Sequence, residues 1–182
     1  MLWWLGLEVL KLYTRTGDEG ETFCMRIKGK VKKYDAIIEF MGTLDEANSA
    51  LGLASGFAED KYKEEIVNIQ RIIFNIGFEI AGSTRLNGSE IVDIEKKIDM
   101  LMENISLSGF ILPGGCPLCG ALHLARSILR RSERLFWKLI DTERLPRDDR
   151  MLYIGKLLNR LSDLLFALAL RISIDKHAVE YV

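Results

Sequence analysis

A chain of 182 residues with a formal net charge of −1, 48% hydrophobic and 28% charged residues fits one domain with a sizeable core. A charge so close to zero leaves no electrostatic case for a nucleic-acid or membrane-surface partner. Only three prolines beside long periodic apolar runs favour an all-helical chain, and three cysteines give no disulfide framework, which favours a reducing, cytoplasmic setting.

The opening stretch MLWWLGLEVLK is apolar for too few residues to span a bilayer, and it lacks a basic n-region and a small-residue cleavage site. Trp3 and Trp4 fit packing on the body, packing on a neighbouring subunit, or disorder equally well. Residues 12–34 do not read as a bundle helix. Gly17, Gly20 and Gly29 interrupt them, and Thr14, Thr16 and Thr22 alternate with charged residues. Arg15, Arg26, Lys28, Lys30, Lys32 and Lys33 add cations. Glycines let backbone N–H groups approach an anion, hydroxyls add donors and basic groups neutralise it, so a phosphate cradle is one reading. A polar arm or hairpin is the other. The segment is not a Walker A loop, because it lacks G-x-x-x-x-G-K-[ST].

Helical periodicity begins near Asp35 and runs to about Phe57 through Ile37, Met41, Leu44 and Leu51. Asp45 and Asn48 fall at the border of that seam. A carboxylate there is costly unless it is paired, and its natural partner is an arginine on a facing helix; a simple exposed flank is the other reading. A second helix spans roughly Asp60 to Ser83 on Ile66, Ile69, Ile73, Ile76 and Ile80. A third follows Ser89 as N-cap, with Ile91, Ile94, Ile98, Leu101 and Ile105. These two read as scaffold.

The stretch Gly109–Arg134 concentrates the chemistry. Phe110-Ile111-Leu112 is stopped by Pro113-Gly114-Gly115, and Pro117 suits a first helical position. The helix to about Glu143 carries the seam Leu118, Leu122, Ala125, Leu129, Ser132, Phe136 and Leu139. Beside it His123, Arg126, Arg130 and Glu133 form a polar stripe. Neither Arg126 nor Arg130 has an acidic residue four positions earlier, so the pair suits carboxylates or phosphates; a solvated face is the competing reading. A fifth helix, capped by Asp148 or Asp149 and reaching about Ile174, places Asn159, Ser162, Asp163 and Phe166 on one flank of its seam. Packed antiparallel, these helices form a bundle in which Asp45, the arginines, Asn159 and Asp163 are able to face one cleft.

Several of these blocks, YTRTGDEGET, GTLDEANSALG with Glu39 before it, FILPGG…ALHLARSILRRSER and LNRLSDLLF, together resemble the PduO-type ATP:cob(I)alamin adenosyltransferases, from about Tyr13 to Arg171. The resemblance implies a single domain over residues 1–182: residues 1–34 as arm and ATP loop, and residues 35–174 as a five-helix, ferritin-like up-and-down bundle. It implies a homotrimer with a site at each subunit interface, in which ATP, with Mg²⁺, donates its 5′-deoxyadenosyl group to the cobalt of cob(I)alamin. By the same resemblance Thr14, Arg15, Thr16, Gly17, Thr22 and Lys33 contact ATP. Arg130, Glu133, Arg134 and Asn159 hold ATP and its Mg²⁺, with Glu133 on the metal. Asp45 and Arg126 form an intersubunit salt bridge beside the corrinoid, and Phe110 and Asp163 lie on the corrinoid side. Asp45, Arg126, Phe110 and Arg130 are the catalytic candidates, and a reductase and an adenosylcobalamin-dependent enzyme are implied partners.

Two departures stand out. Asp18-Glu19-Gly20 replaces the family's Asp-Lys-Gly, putting an anion near the phosphates. Cys116-Pro-Leu-Cys119 with His123 is unusual for the family, and reads as three metal ligands, as a redox pair at a helix N-terminus, or as inert thiols. The alternative function is a non-catalytic ATP- or corrinoid-binding trimer acting as carrier or sensor. A ferritin-type metal protein needs paired Glu-x-x-His motifs, and neither His123 nor His177 has one.

Overall fold

The computed structural model describes residue 13 and residues 15–182; Thr14, Trp3 and Trp4 lie outside the described residues. The first elements are not helical. β1 (Glu21–Cys24) and β2 (Gly29–Lys32) form an antiparallel hairpin with Glu21 opposite Lys32 and Cys24 opposite Gly29. A Lys32–Glu21 ion pair of 2.8 Å closes its open end. The strict all-α expectation is therefore corrected by one two-stranded sheet: Val31 alternates with the exposed Lys30 and Lys32 at the period of a strand, and buried Cys24, next to exposed Phe23, packs the hairpin onto the core.

Five helices follow: α1 (Ala36–Gly56), α2 (Asp60–Ala81), α3 (Glu90–Leu101), α4 (Pro117–Asp141) and α5 (Asp149–Asp175). α1 packs on α2 and, more extensively, on α4; α4 packs on α5, and α3 lies against α5. The expected seams of four helices are largely buried: Ile37, Leu44 and Leu51 from α1, with Met41 half-buried and Phe40 added to them, Ile66 to Ile80 from α2, Leu122, Leu129 and Phe136 from α4, and Leu158 to Ile172 from α5. No described helix is long and apolar enough to cross a membrane.

Local chemistry sets the ends. The Asp35 carboxylate accepts the Ile37 N–H at 3.0 Å, and Asp148 accepts that of Met151 at 2.8 Å. Gly82, at φ +99°, ends α2 in the left-handed conformation, so the helix stops at Ala81, just before the expected Ser83. α3 is also shorter than its sequence pattern. Only Ile94 in it is fully buried, so packing supports no further turn, and Asn104 at φ +61° turns the chain before Ile105. Ser89 holds the N-cap position, but its hydroxyl donates to Asp93, and the Glu90 carboxylate accepts the N–H groups of Asn87 and Gly88 instead.

Beside the turn between α2 and α3 lies an ion pair with a buried carboxylate that the sequence did not announce. Glu79, on α2, accepts the Leu86 N–H and the Arg150 Nε, each at 2.8 Å, tying α2, the turn and α5 together. Its hydrogen bonds to Arg150 outweigh burial and hold the carboxyl down at a pKa of about 2.

Candidate active site

Candidate residues occupy three regions of the chain. The first is the mouth of the hairpin. Arg15 has φ +59° and its guanidinium lies over the Tyr13 ring, 5.6 Å from the centroid. Gly20, at φ +77°, makes the turn whose carbonyl accepts the Lys33 N–H at 2.9 Å. That bond brings the exposed Lys33 side chain across the loop, with its Nζ 3.1 Å from where a Gly17 Cβ would stand. Thr16 lies in the same loop, Thr22 lies in β1, and Glu19 is exposed beside Gly20. Lys33 and the glycine loop are thus neighbours, as a phosphate cradle requires.

The second region is the α4–α5 face. Arg126 extends over the ring of Phe166 at 5.8 Å, and its Nε is buried without a partner. Burial first, and the charge of Arg130 one turn on, lower its pKa from the ordinary arginine value. Its cavity of about 670 Å³ is also lined by Phe110, Ile111, Leu107 and Phe166. Phe110 is 87% exposed, an unusual position for a phenyl ring. Along the same face the Asn159 amide donates to Glu133 at 3.3 Å, while its carbonyl oxygen accepts from Arg160 at 2.8 Å. Arg130 is exposed, Arg134 turns back to the Arg130 carbonyl at 3.1 Å, and Asp163 is exposed near Arg160.

The third region is a groove between α1 and α2 of about 250 Å³, lined by Met41, Leu44, Asp45, Asn48, Ile73, Phe74 and Gly77. Asp45 is exposed there and makes no ion pair among the described residues, while the Asn48 side-chain oxygen is buried without a partner. The single cleft expected from the sequence is therefore divided within one chain: Asp45 opens on the α1–α2 side and Arg126 on the α4–α5 side.

Three features escaped the sequence reading. His123, placed on a polar stripe, is 95% buried, with its ring edge-on to Phe166 at 6.1 Å and its Nδ1 unpartnered. Burial, then the Arg126 charge, lower its pKa, so the imidazole is neutral at pH 7. Phe166 was legible as sharing a flank with Asn159, but not as the ring beneath Arg126. The C-terminal tail forms a strap: Leu112 N–H donates to the Glu180 carbonyl and Val182 N–H to that of Phe110, each at 2.9 Å, which fixes the segment presenting Phe110. The three-ligand metal reading is not supported. Cys116 and Cys119 are disulfide-bonded, and no metal-holding group of three or more His, Cys, Asp or Glu occurs among the described residues.

Fold and site together define a helical-bundle protein with a glycine–lysine hairpin and an arginine-bearing, aromatic-floored helix face. Comparison with known proteins gives this class a family. The family described as Cobalamin adenosyltransferase matches residues 12–172. A Corrinoid adenosyltransferase of Mycobacterium tuberculosis is 34% identical over 177 residues, 91% of this chain and 90% of that protein. One from Bacillus subtilis is 36% identical over 173 residues, 88% and 85% of the two chains. Among solved structures, a variant PduO-type ATP:corrinoid adenosyltransferase from Lactobacillus reuteri, complexed with cobalamin and ATP, superposes with a TM-score of 0.80 at 30% identity, covering 93% of this chain and 97% of that one. This chain belongs to the cobalamin adenosyltransferase family.

Proposed function

We propose that this chain transfers the 5′-deoxyadenosyl group of ATP to the cobalt of cob(I)alamin, releasing triphosphate, and that it works as a homotrimer with a site at each subunit interface. The observation that carries the reading is Arg126. A guanidinium with a buried, unpaired Nε costs roughly 1–3 kcal/mol or more, a penalty that an incoming acceptor relieves. It stands in a cavity of about 670 Å³ beside a bare phenyl ring, which suits a large ligand with an apolar face and a polar edge.

Asp45 and Arg126 are opposite charges on different sides of one chain, each without an ion-pair partner among the described residues. They can meet only across two copies, and in the proposed trimer they do so in a head-to-tail contact that closes as a ring. In that arrangement Arg15, Thr16, Gly17, Thr22 and Lys33, with Thr14, enclose ATP from one subunit, and Arg130, Glu133, Arg134 and Asn159 receive it from the next. Asp163 and Phe110 border the corrinoid.

The donor set fits Mg²⁺. Glu133 is a half-buried carboxylate oriented by Asn159, and one carboxylate suffices for an ion that keeps most of its ligands from phosphates and water. Glu133 is the residue that would hold it, and the ion would supply neutralisation of the triphosphate.

Cob(I)alamin is itself the nucleophile: its cobalt attacks C5′ of ATP, the C5′–O bond breaks, and the triphosphate leaves with the electron pair. The protein needs no activated side chain. Lys33, Arg130 and Arg134 stabilise the developing charge, and the enclosing loop sets C5′ in line. Phe110 excludes water and the lower axial ligand from cobalt, which eases reduction of cob(II)alamin. This assignment includes a cytoplasmic setting, a separate reductase and an adenosylcobalamin-dependent acceptor enzyme. An anaerobic assay tests it: with cob(I)alamin and MgATP, adenosylcobalamin and triphosphate should form in equal amounts. ATP consumption without cobalt–carbon bond formation would overturn it.

A further inference from the structure

The Cys116–Cys119 disulfide at the head of α4 takes no part in that chemistry. The two sulfurs are inequivalent. Cys116 occupies the N-cap, is half-buried, and its Sγ accepts the Cys119 N–H at 3.0 Å; Cys119, one turn in, is fully buried. Pro117 begins the helix between them. A thiolate at Cys116 is favoured there by the helix N-terminus and by a hydrogen bond already aimed at its sulfur. An accessible first cysteine and a buried second one suit reversible exchange, whereas a purely structural bridge has no need of that asymmetry. The bridge spans only three residues, so it closes too small a loop to act mainly by constraining the unfolded chain.

What the pair is attached to gives it a consequence. Immediately before it, Gly115 has φ +85°, and a Cβ there would lie 2.6 Å from the Ala178 carbonyl oxygen, so the chain is pressed against the C-terminal tail. The same tail holds Phe110 and Leu112 through the two strap hydrogen bonds. The disulfide thus anchors one end of the segment Phe110–Gly115, and the tail anchors its length.

We propose that Cys116 and Cys119 are a thiol–disulfide exchange site served by a protein dithiol, and that the redox state of the pair sets how tightly the Phe110 segment is strapped. A reductant thiolate attacks Cys116 Sγ, and the Cys119 sulfur leaves as the thiolate. The second reductant thiol then attacks its own half of the mixed disulfide and frees Cys116. Two electrons and two protons pass from the dithiol to the pair, and the reductant ends as the disulfide. In a reducing compartment a bridge of this kind is a transient or sensing one. The exchange stands apart from the transferase reading; only its effect on corrinoid handling rests on it.

The test uses the full chain without corrinoid, so its outcome is independent of the transferase assay. After equilibration with oxidised glutathione and denaturation, one thiol per chain (Cys24) should titrate, and after dithiothreitol all three. Cys119→Ser should trap a glutathione adduct on Cys116 at least about tenfold faster than Cys116→Ser traps one on Cys119, because attack follows access. Reduction should speed hydrogen exchange at the Leu112 and Val182 amides by about tenfold, with the core of α5 unchanged. Three free thiols in oxidised glutathione, equal trapping by the two variants, or unchanged exchange at those amides would overturn the proposal.

Discussion

Lys33 Nζ lies 3.1 Å from the position a Cβ on Gly17 would take, with the Glu21 carbonyl 3.3 Å from the same point. Lysine and glycine therefore share one small volume at the mouth of the hairpin, and the missing side chain is what admits the ammonium. Gly17→Ala should displace Lys33 without unfolding the bundle. The KM for ATP should rise about three- to tenfold, close to the effect of Lys33→Ala, and the double variant should be scarcely worse than either alone. Independent, multiplying effects would separate the two residues.

Phe110 presents an exposed ring to the Arg126 cavity, held by backbone bonds to the tail and not by packing of its own side chain. Phe110→Ala should leave thermal stability within about 0.5 kcal/mol of the parent. Turnover begun from cob(II)alamin with a reductant should drop at least about tenfold, while turnover from chemically prepared cob(I)alamin should change by less than about threefold. Equal losses from both starting states would remove the ring from the reduction step.

Asp45 and Arg126 give a mixing experiment. Asp45→Asn and Arg126→Ala should each depress kcat/KM by about a hundredfold as pure assemblies. Unfolding and co-refolding the two in equal amounts should restore about one quarter of parental activity, the fraction of interfaces at which both native residues meet by chance. Activity that stays at the level of the single variants would place the two side chains in separate sites.

Glu79 predicts an acid-sensitive fold. Its folded pKa of about 2 lies below the ordinary value of 4.5, so the ionised, paired form stabilises the protein above pH 4.5, and that stabilisation drains away as the pH falls from 4.5 toward 2. Glu79→Gln should cost on the order of 3 kcal/mol at pH 7, and its melting temperature should depend less on pH across that acid window than the parent's. Parallel pH profiles for variant and parent would show that the linkage lies elsewhere.

The helices and the glycine-rich departure near the N-terminus were legible because their signals are local. Apolar residues at helical spacing, Pro117 at the head of α4, and Asp35 and Asp148 at N-caps each act on neighbours in sequence. The hairpin stood as one of two readings of its segment. α3 was overextended because its apolar spacing continues to Ile105, where only a partner surface could have kept the helix going. His123 was misplaced because its spacing puts it with the arginines, whereas the packing of α5, through Phe166, covers it.

By itself the amino-acid sequence determined five amphipathic helices, their order, the glycine–lysine segment, and the arginines on α4, since each follows from residues within a few positions of one another. Only the tertiary structure decided that Asp45 and Arg126 open on different sides of the chain, that Glu79 finds Arg150, and that the tail straps Phe110. Those outcomes join side chains scores of residues apart. Their energies depend on burial and on partners that exist only once the helices have packed.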